Sequence, residues 1–184
     1  MITRIKINGF KNLLETELYL GPFTCIVGEN AVGKSNFFDA LMFLSKLADV
    51  SLIEAAKSIR SENQKHSNIR DMFFKSGTDY MDTMSFEIDM IIAKEAEDEL
   101  GQPAKATITS LRYTLELKLN ETNEFEQPIT IIKEVLEPLT LGHTRKHIFF
   151  KSKKDWRQSI LAGRRSTNNP FISTNADKIK LTGN

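Results

Sequence analysis

Residues 28–35 read GENAVGKS and fill every fixed position of the pattern G-x-x-x-x-G-K-[ST]. The apolar run Phe23, Thr24, Cys25, Ile26, Val27 leads into the octet, and an amphipathic helical pattern leaves it at about Gly33. The chemistry of such a segment is polyphosphate binding. Gly28 and Gly33 let the backbone turn tightly enough for the amides of Asn30, Ala31, Val32, Gly33, Lys34 and Ser35 to face phosphate oxygens. The helix that follows adds its own unpaired N–H groups and the positive end of its dipole. Lys34 is placed to reach the β- and γ-phosphates as a compact charge, and the Ser35 hydroxyl is a ligand for magnesium. Glu29 takes a binding-loop role only, since side chains at that position commonly face away from the phosphates.

The elements that must hold this loop follow from periodicity. Thr3, Ile5 and Ile7 alternate with Arg4, Lys6 and Asn8 as a first strand, and Thr16, Leu18 and Leu20 alternate with Glu15, Glu17 and Tyr19 as a second. Gly21 and Pro22 break the chain before the run 23–27, whose lack of alternation predicts a strand buried on both faces, with Cys25 as a small buried hydrophobe. After the loop, Phe37, Leu41, Leu44 and Ala48, widened by Ala40 and Leu47, form the core-facing stripe of a helix. Further helical stretches are expected at 52–61 and 68–74. The period then changes: Met84, Phe86, Ile88, Met90 and Ile92 alternate, as do Leu111, Tyr113, Leu115, Leu117 and Leu119, which predicts antiparallel neighbours. Residues 94–107 read as a long loop or short exposed helix. Strands are expected after Pro128 in ITIIKEV and in KHIFF, which ends at Phe150. The pattern predicts an α/β architecture in which strands of an accessory antiparallel β-sheet, 80–165, lie beside a β/α part, 1–75, with 166–184 as tail or linker.

With 184 residues and 40% apolar content, the chain can bury one substantial core, and its formal charge of +1 identifies no partner class. A single cysteine excludes an intrachain disulfide and fits a reducing cytoplasm, and no stretch approaches the roughly 18 apolar residues of a membrane span, so no membrane partner is expected. His66, His143 and His147 are too scattered for a metal cluster, and there is no Ser-His-Asp or Cys-His constellation.

The opening ITRIKINGFKNL, followed by FTCIVGENAVGKSNFFDALMFL, resembles the start of the ATP-binding heads of the structural-maintenance-of-chromosomes, RecF and overcoming-lysogenization-defect groups of ABC-type ATPases. The resemblance is specific over about residues 1–48. It implies the N-terminal half of a phosphate-loop NTPase that binds ATP and magnesium, dimerises around them, and couples hydrolysis to DNA maintenance, phage defence or a nuclease or other effector. It also implies that Lys11 lies near the phosphates and Asn12 near the base, although Lys11 reads equally as a solvated strand-end charge. Asn36 either approaches the nucleotide or simply supports the helix start.

Departures from that pattern are informative. A working ATPase of this type needs an apolar run closing on Asp and Glu to hold magnesium and activate water, and FEID and VLEP are not such runs. LTLG at 139–142 and the terminal LTGN are weak echoes of a signature loop and read better as turns, while Gln127 is a poor glutamine-loop candidate. The expectation is an N-terminal lobe whose complement is a C-terminal lobe or a second head. Between 144 and 165, eight basic residues, including Arg164 and Arg165, face one acid, Asp155. This segment either tracks DNA, with Trp156 as a stacking face, or is a solvated surface that Trp156 anchors. One of the paired arginines could instead reach a neighbouring subunit's γ-phosphate. A small-molecule kinase and an ATP-dependent dimerisation module with little turnover are the alternative functions.

Overall fold

The computed structural model describes residues 1–59, 68–97, 100–120, 127–160, 169–175 and 178–181. In chain order the elements are β1 (Ile2–Asn8), β2 (Thr16–Tyr19), α1 (Lys34–Lys46), α2 (Leu52–Ser58), a 3-10 turn (Ile69–Met72), β3 (Lys75–Ser76), β4 (Asp79–Tyr80) and β5 (Thr83–Ile91). They continue with β6 (Glu95–Glu97), β7 (Pro103–Lys105), β8 (Ser110–Leu119), β9 (Ile129–Pro138), α3 (Leu141–His147), α4 (Lys154–Ile160), β10 (Ile172–Asn175) and β11 (Lys178–Leu181). Seven strands form one sheet in the order β11-β10-β9-β8-β5-β1-β2, and every neighbouring pair is antiparallel. The expected mixed α/β character with a large antiparallel sheet is therefore observed, with β1 and β2 belonging to that same sheet.

Alternation along the strands sorts the two faces. Ile5 and Ile7 from β1, Met84, Phe86 and Ile88 from β5, Leu115 and Leu117 from β8 and Ile129 from β9 share one buried cluster with Phe37, Ala40 and Phe43 of α1 and Ala55 and Ala56 of α2. Three aromatic rings tie the layers: Phe86 meets Phe10 edge-on at 5.7 Å between centroids and Phe43 at 5.8 Å. The stripe on α1 is thus centred on Phe43 as well as on the expected Phe37. Ala48 lies past the Leu47 C-cap and is exposed. A capping box at Ser51 and Glu54 starts α2, which stops at Ser58; part of the helix expected to 61 lies outside the described residues.

Four expectations are corrected. The run 23–27 forms no strand: no described strand pairs with it, and although Ile26 packs partly against the core, Phe23 and Val27 are 88% and 84% exposed. Cys25 is accordingly exposed. KHIFF is not a strand either, because Thr140 caps α3 by accepting from the His143 amide, and the helix runs through His147. Residues 94–107 carry the small β6–β7 hairpin. The stretch expected to be tail or linker carries β10 and β11, which extend the sheet beyond β9.

The opposite face is polar. Register sets Arg4 and Arg112 on either side of Asp89. The Asp89 carboxylate accepts from Arg112 Nε at 2.6 Å and Arg112 Nη2 at 2.9 Å, with Arg4 Nη1 at 3.5 Å. His147 Nδ1 closes the cluster from α3, and Arg4 also pairs with Glu17 and Glu87. Among the described residues this is the most deeply buried charge: the Asp89 side chain is 1% exposed.

Candidate functional site

A cavity of about 590 Å³ opens where the 28–35 loop meets α1, lined by Asn30, Ala31, Gly33, Lys34, Ser35 and Asn36 on one side and Lys11 and Asn12 on another. Its remaining wall is Asp71, Phe73, Phe74, Lys75 and Tyr80. The sequence reading did not assign those five residues a role.

Backbone conformation shapes the loop. Gly33 is the N-cap of α1 at φ +104, and Ala31 sits at φ +67, so two residues of the loop take the left-handed conformation just before the helix. Gly28, the other glycine expected to allow a tight turn, is not at positive φ. The φ of Gly33 favours glycine, and a Cβ there would lie 2.8 Å from Asn12 Oδ1, so the Asn12 side chain would have to shift. No side chain caps α1 and no acid occupies its first turn, which leaves the helix start open to an anion.

Lys34 Nζ donates to the carbonyl oxygens of Gly28, at 2.7 Å, and Glu29. The ammonium therefore lies across the loop, and Gly28 and Glu29 serve through their carbonyls. Neither they nor Val32 line the cavity; Val32 is exposed. Ser35 is exposed at the cavity wall one residue from Lys34. Asn36 Nδ2 donates to Asn12 Oδ1 at 2.8 Å, so Asn36 both belongs to the helix start and fastens the neighbouring turn.

That turn is built from Phe10, Lys11, Asn12 and Leu13. The Leu13 amide donates to Phe10 O, the Gly9 amide to Leu13 O, and Lys11 adopts φ +48. Two bonds pin it to the segment after α2: Lys11 N to Met72 O and Phe74 N to Gly9 O, both 2.8 Å. Lys11 is not a solvated strand end. Its Nζ meets Asp39 Oδ2 of α1 at 2.7 Å with 12% of the side chain exposed.

The same pinning delivers the unassigned wall. Tyr80 donates from its hydroxyl to Asp71 Oδ1 at 3.2 Å, and the Arg70 and Lys75 cations lie 5.2 Å from its ring centre. The wall thus sets an aromatic ring and a carboxylate in the same cavity as the 28–35 loop. In the sequence only the helical stretch expected at 68–74, found as the 3-10 turn Ile69–Met72, touched this wall, because the residues act through tertiary placement.

FEID ends in Asp89, whose carboxylate is committed to Arg112 and His147 on the far face of the sheet and does not line the cavity. His143 meets Thr140 Oγ1 at 3.1 Å, and no group of three or more metal-ligating side chains occurs among the described residues. His66, Arg164 and Arg165 lie outside the described residues. Among those described, no helix is long and apolar enough to cross a membrane.

Comparison with known proteins places these features in context. The AAA ATPase domain family matches over residues 1–180. A DNA replication and repair protein RecF from Phocaeicola vulgatus is 36% identical over 67 residues, a match that covers 36% of this chain and 17% of the RecF protein. A solved structure from work on ATP-driven dimerization and DNA-stimulated activation of SMC ATPases superposes with a TM-score of 0.42 at 22% identity, covering 64% of this chain and 63% of that one. The chain thus spans less than two thirds of each of these relatives.

Proposed function

The chain belongs to the AAA ATPase domain family, matched over residues 1–180, and from that premise we propose that it is the ATP-binding lobe of an ATPase of the SMC and RecF type. The observation that carries this reading is the shared cavity, in which the 28–35 loop and the 10–13 turn face the Asp71–Tyr80 wall. The triphosphate is held by loop amides and by Lys34, which exchanges its two carbonyl partners for phosphate oxygens. The base lies toward Tyr80 and Phe74. The donor set suits magnesium, because Ser35 offers one hard oxygen beside Lys34, and this ion commonly takes few protein ligands together with phosphates and water. When bound, magnesium neutralises charge on the phosphates.

The wider activity is part of the same proposal. ATP joins this lobe to a second copy or to a further lobe, and the assembly works on DNA in maintenance or phage defence, with a nuclease or other effector as a further partner, in the ATP-containing cytoplasm. The similarity to RecF over 67 residues supports the DNA assignment. A second reading, a nucleotide-dependent dimerisation module with little turnover of its own, gains support from the acids. Among the described residues Asp71 is the one acid lining the cavity, and its carboxylate accepts the Tyr80 hydroxyl.

Calorimetric titration with a non-hydrolysable ATP analogue and magnesium is expected to show saturable binding, with light scattering reporting a larger species at saturation. No heat of binding at millimolar ligand overturns the nucleotide assignment. Steady-state phosphate release separates an ATPase from a slow switch, and phosphate transfer to a small acceptor identifies a kinase.

A further inference from the structure

A second cavity, of about 330 Å³, lies on the segment between α3 and α4, walled by Pro22, Phe150 and Trp156 and bordered by Lys151, Ser152 and Lys153. Its volume falls at the small end of ligand clefts, roughly 300–1,000 Å³. Phe150 and Trp156 meet edge-to-face at 5.4 Å, which fixes the half-buried indole in the wall. The surround is cationic. Arg145, Lys146, Lys151, Lys153, Lys154 and Arg157 are all exposed, and the one acid between 145 and 157 is Asp155.

The segment is also held in place. Phe149 packs on Tyr19 of β2 at 4.3 Å, His147 is bonded to Asp89, and Arg157 Nη2 donates to Ser152 O at 3.1 Å. An open aromatic cleft of about 330 Å³, rimmed by lysines and fastened to the sheet, has the recognition chemistry of an unpaired nucleobase with its flanking phosphates. A base inside a duplex cannot enter such a slot without leaving its stack.

We propose that this cavity is a single-stranded nucleic-acid site, in which one base stacks against Trp156 while Lys151 and Lys153 take the adjoining phosphates. The proposal rests on the reading of the chain as DNA-directed only in its choice of ligand, and it is independent of the nucleotide cavity.

The chain has one tryptophan, so intrinsic fluorescence reports directly on the site. An oligothymidylate of about 16 nucleotides, added to the full chain in nucleotide-free buffer, is expected to quench Trp156 saturably. By anisotropy of a labelled oligomer, Trp156→Ala is expected to weaken binding roughly 5- to 100-fold, with Trp156→Phe recovering most of it. Joint replacement of the exposed pair, Lys151→Ala with Lys153→Ala, should make the slope of log K against log salt shallower by about 1.4. The lysine variant guards against misfolding of the tryptophan variant. A duplex of equal length should bind without quenching. An unaltered salt slope, unaltered affinity in Trp156→Ala, or equal quenching by duplex or by free thymidylate overturns the proposal. Parallel titrations with magnesium and ATP isolate a failure of the nucleotide reading, because the strand measurement uses no ATP.

Discussion

Replacing Lys34 by alanine is expected to weaken binding of magnesium ATP roughly 10- to 100-fold, the effect of losing a charged hydrogen bond worth about 1.5–3 kcal/mol. The ammonium lies across the loop on the Gly28 and Glu29 carbonyls, and Lys34 lines the cavity. The fold does not depend on it. The core face of α1 is Phe37, Ala40 and Phe43, and Lys34 makes no part of it, so unfolding by urea should stay within about 0.5 kcal/mol of the parent. Calorimetry on the two proteins decides the matter: parent-like affinity in the variant would remove Lys34 from the phosphate site.

Asp89→Ala should cost stability on a larger scale, about 3–5 kcal/mol by urea unfolding, because it leaves the Arg112 and Arg4 guanidinium groups beneath the surface without their shared carboxylate. The pH dependence follows from the same cluster. Burial alone would raise the Asp89 carboxyl, but the Arg112 hydrogen bonds and the charges of Arg112, Arg4 and His147 outweigh it and hold the group below its ordinary value. With the folded value below the unfolded one of about 3.9, the folded state binds fewer protons. Its contribution is complete above that range and disappears as pH falls through the folded value. The parent should therefore lose stability in acid more steeply than Asp89→Ala. Equal unfolding midpoints at neutral pH would show that the cluster adds nothing.

What could be read from residues alone follows from how local each signal is. The strands β5 and β8 carry unbroken alternation, and their pairing, Met84 with Leu117 and Phe86 with Leu115, is the register that alternation implies. The start of α1 was visible because glycine, lysine and serine stand at required spacings. The run 23–27 misled because apolar content says that a segment can be buried, whereas burial also needs neighbours. KHIFF misled for the opposite reason: a cap at Thr140 determines the conformation of residues up to seven positions later. The Asp71–Tyr80 wall was hidden because two main-chain bonds to the 9–11 segment bring it to the loop, and no periodicity records a contact of that kind.

The sheet order has a consequence for how the molecule comes together. From β5 through β8, β9, β10 and β11, each strand pairs with the next long strand in the chain, whereas β1 must find β5, as in the Thr3 hydroxyl bond to Asp89 O across 86 positions. Local hairpins close quickly and distant partners late. The ribosome therefore releases the N-terminal quarter well before the surface on which Phe43 will rest, and this first-made portion should be among the last to lock. Pulsed hydrogen exchange during refolding is expected to protect β8 and β9 amides ahead of the β1 amides that bond β5, since β1 also pairs locally with β2; the reverse order would contradict it.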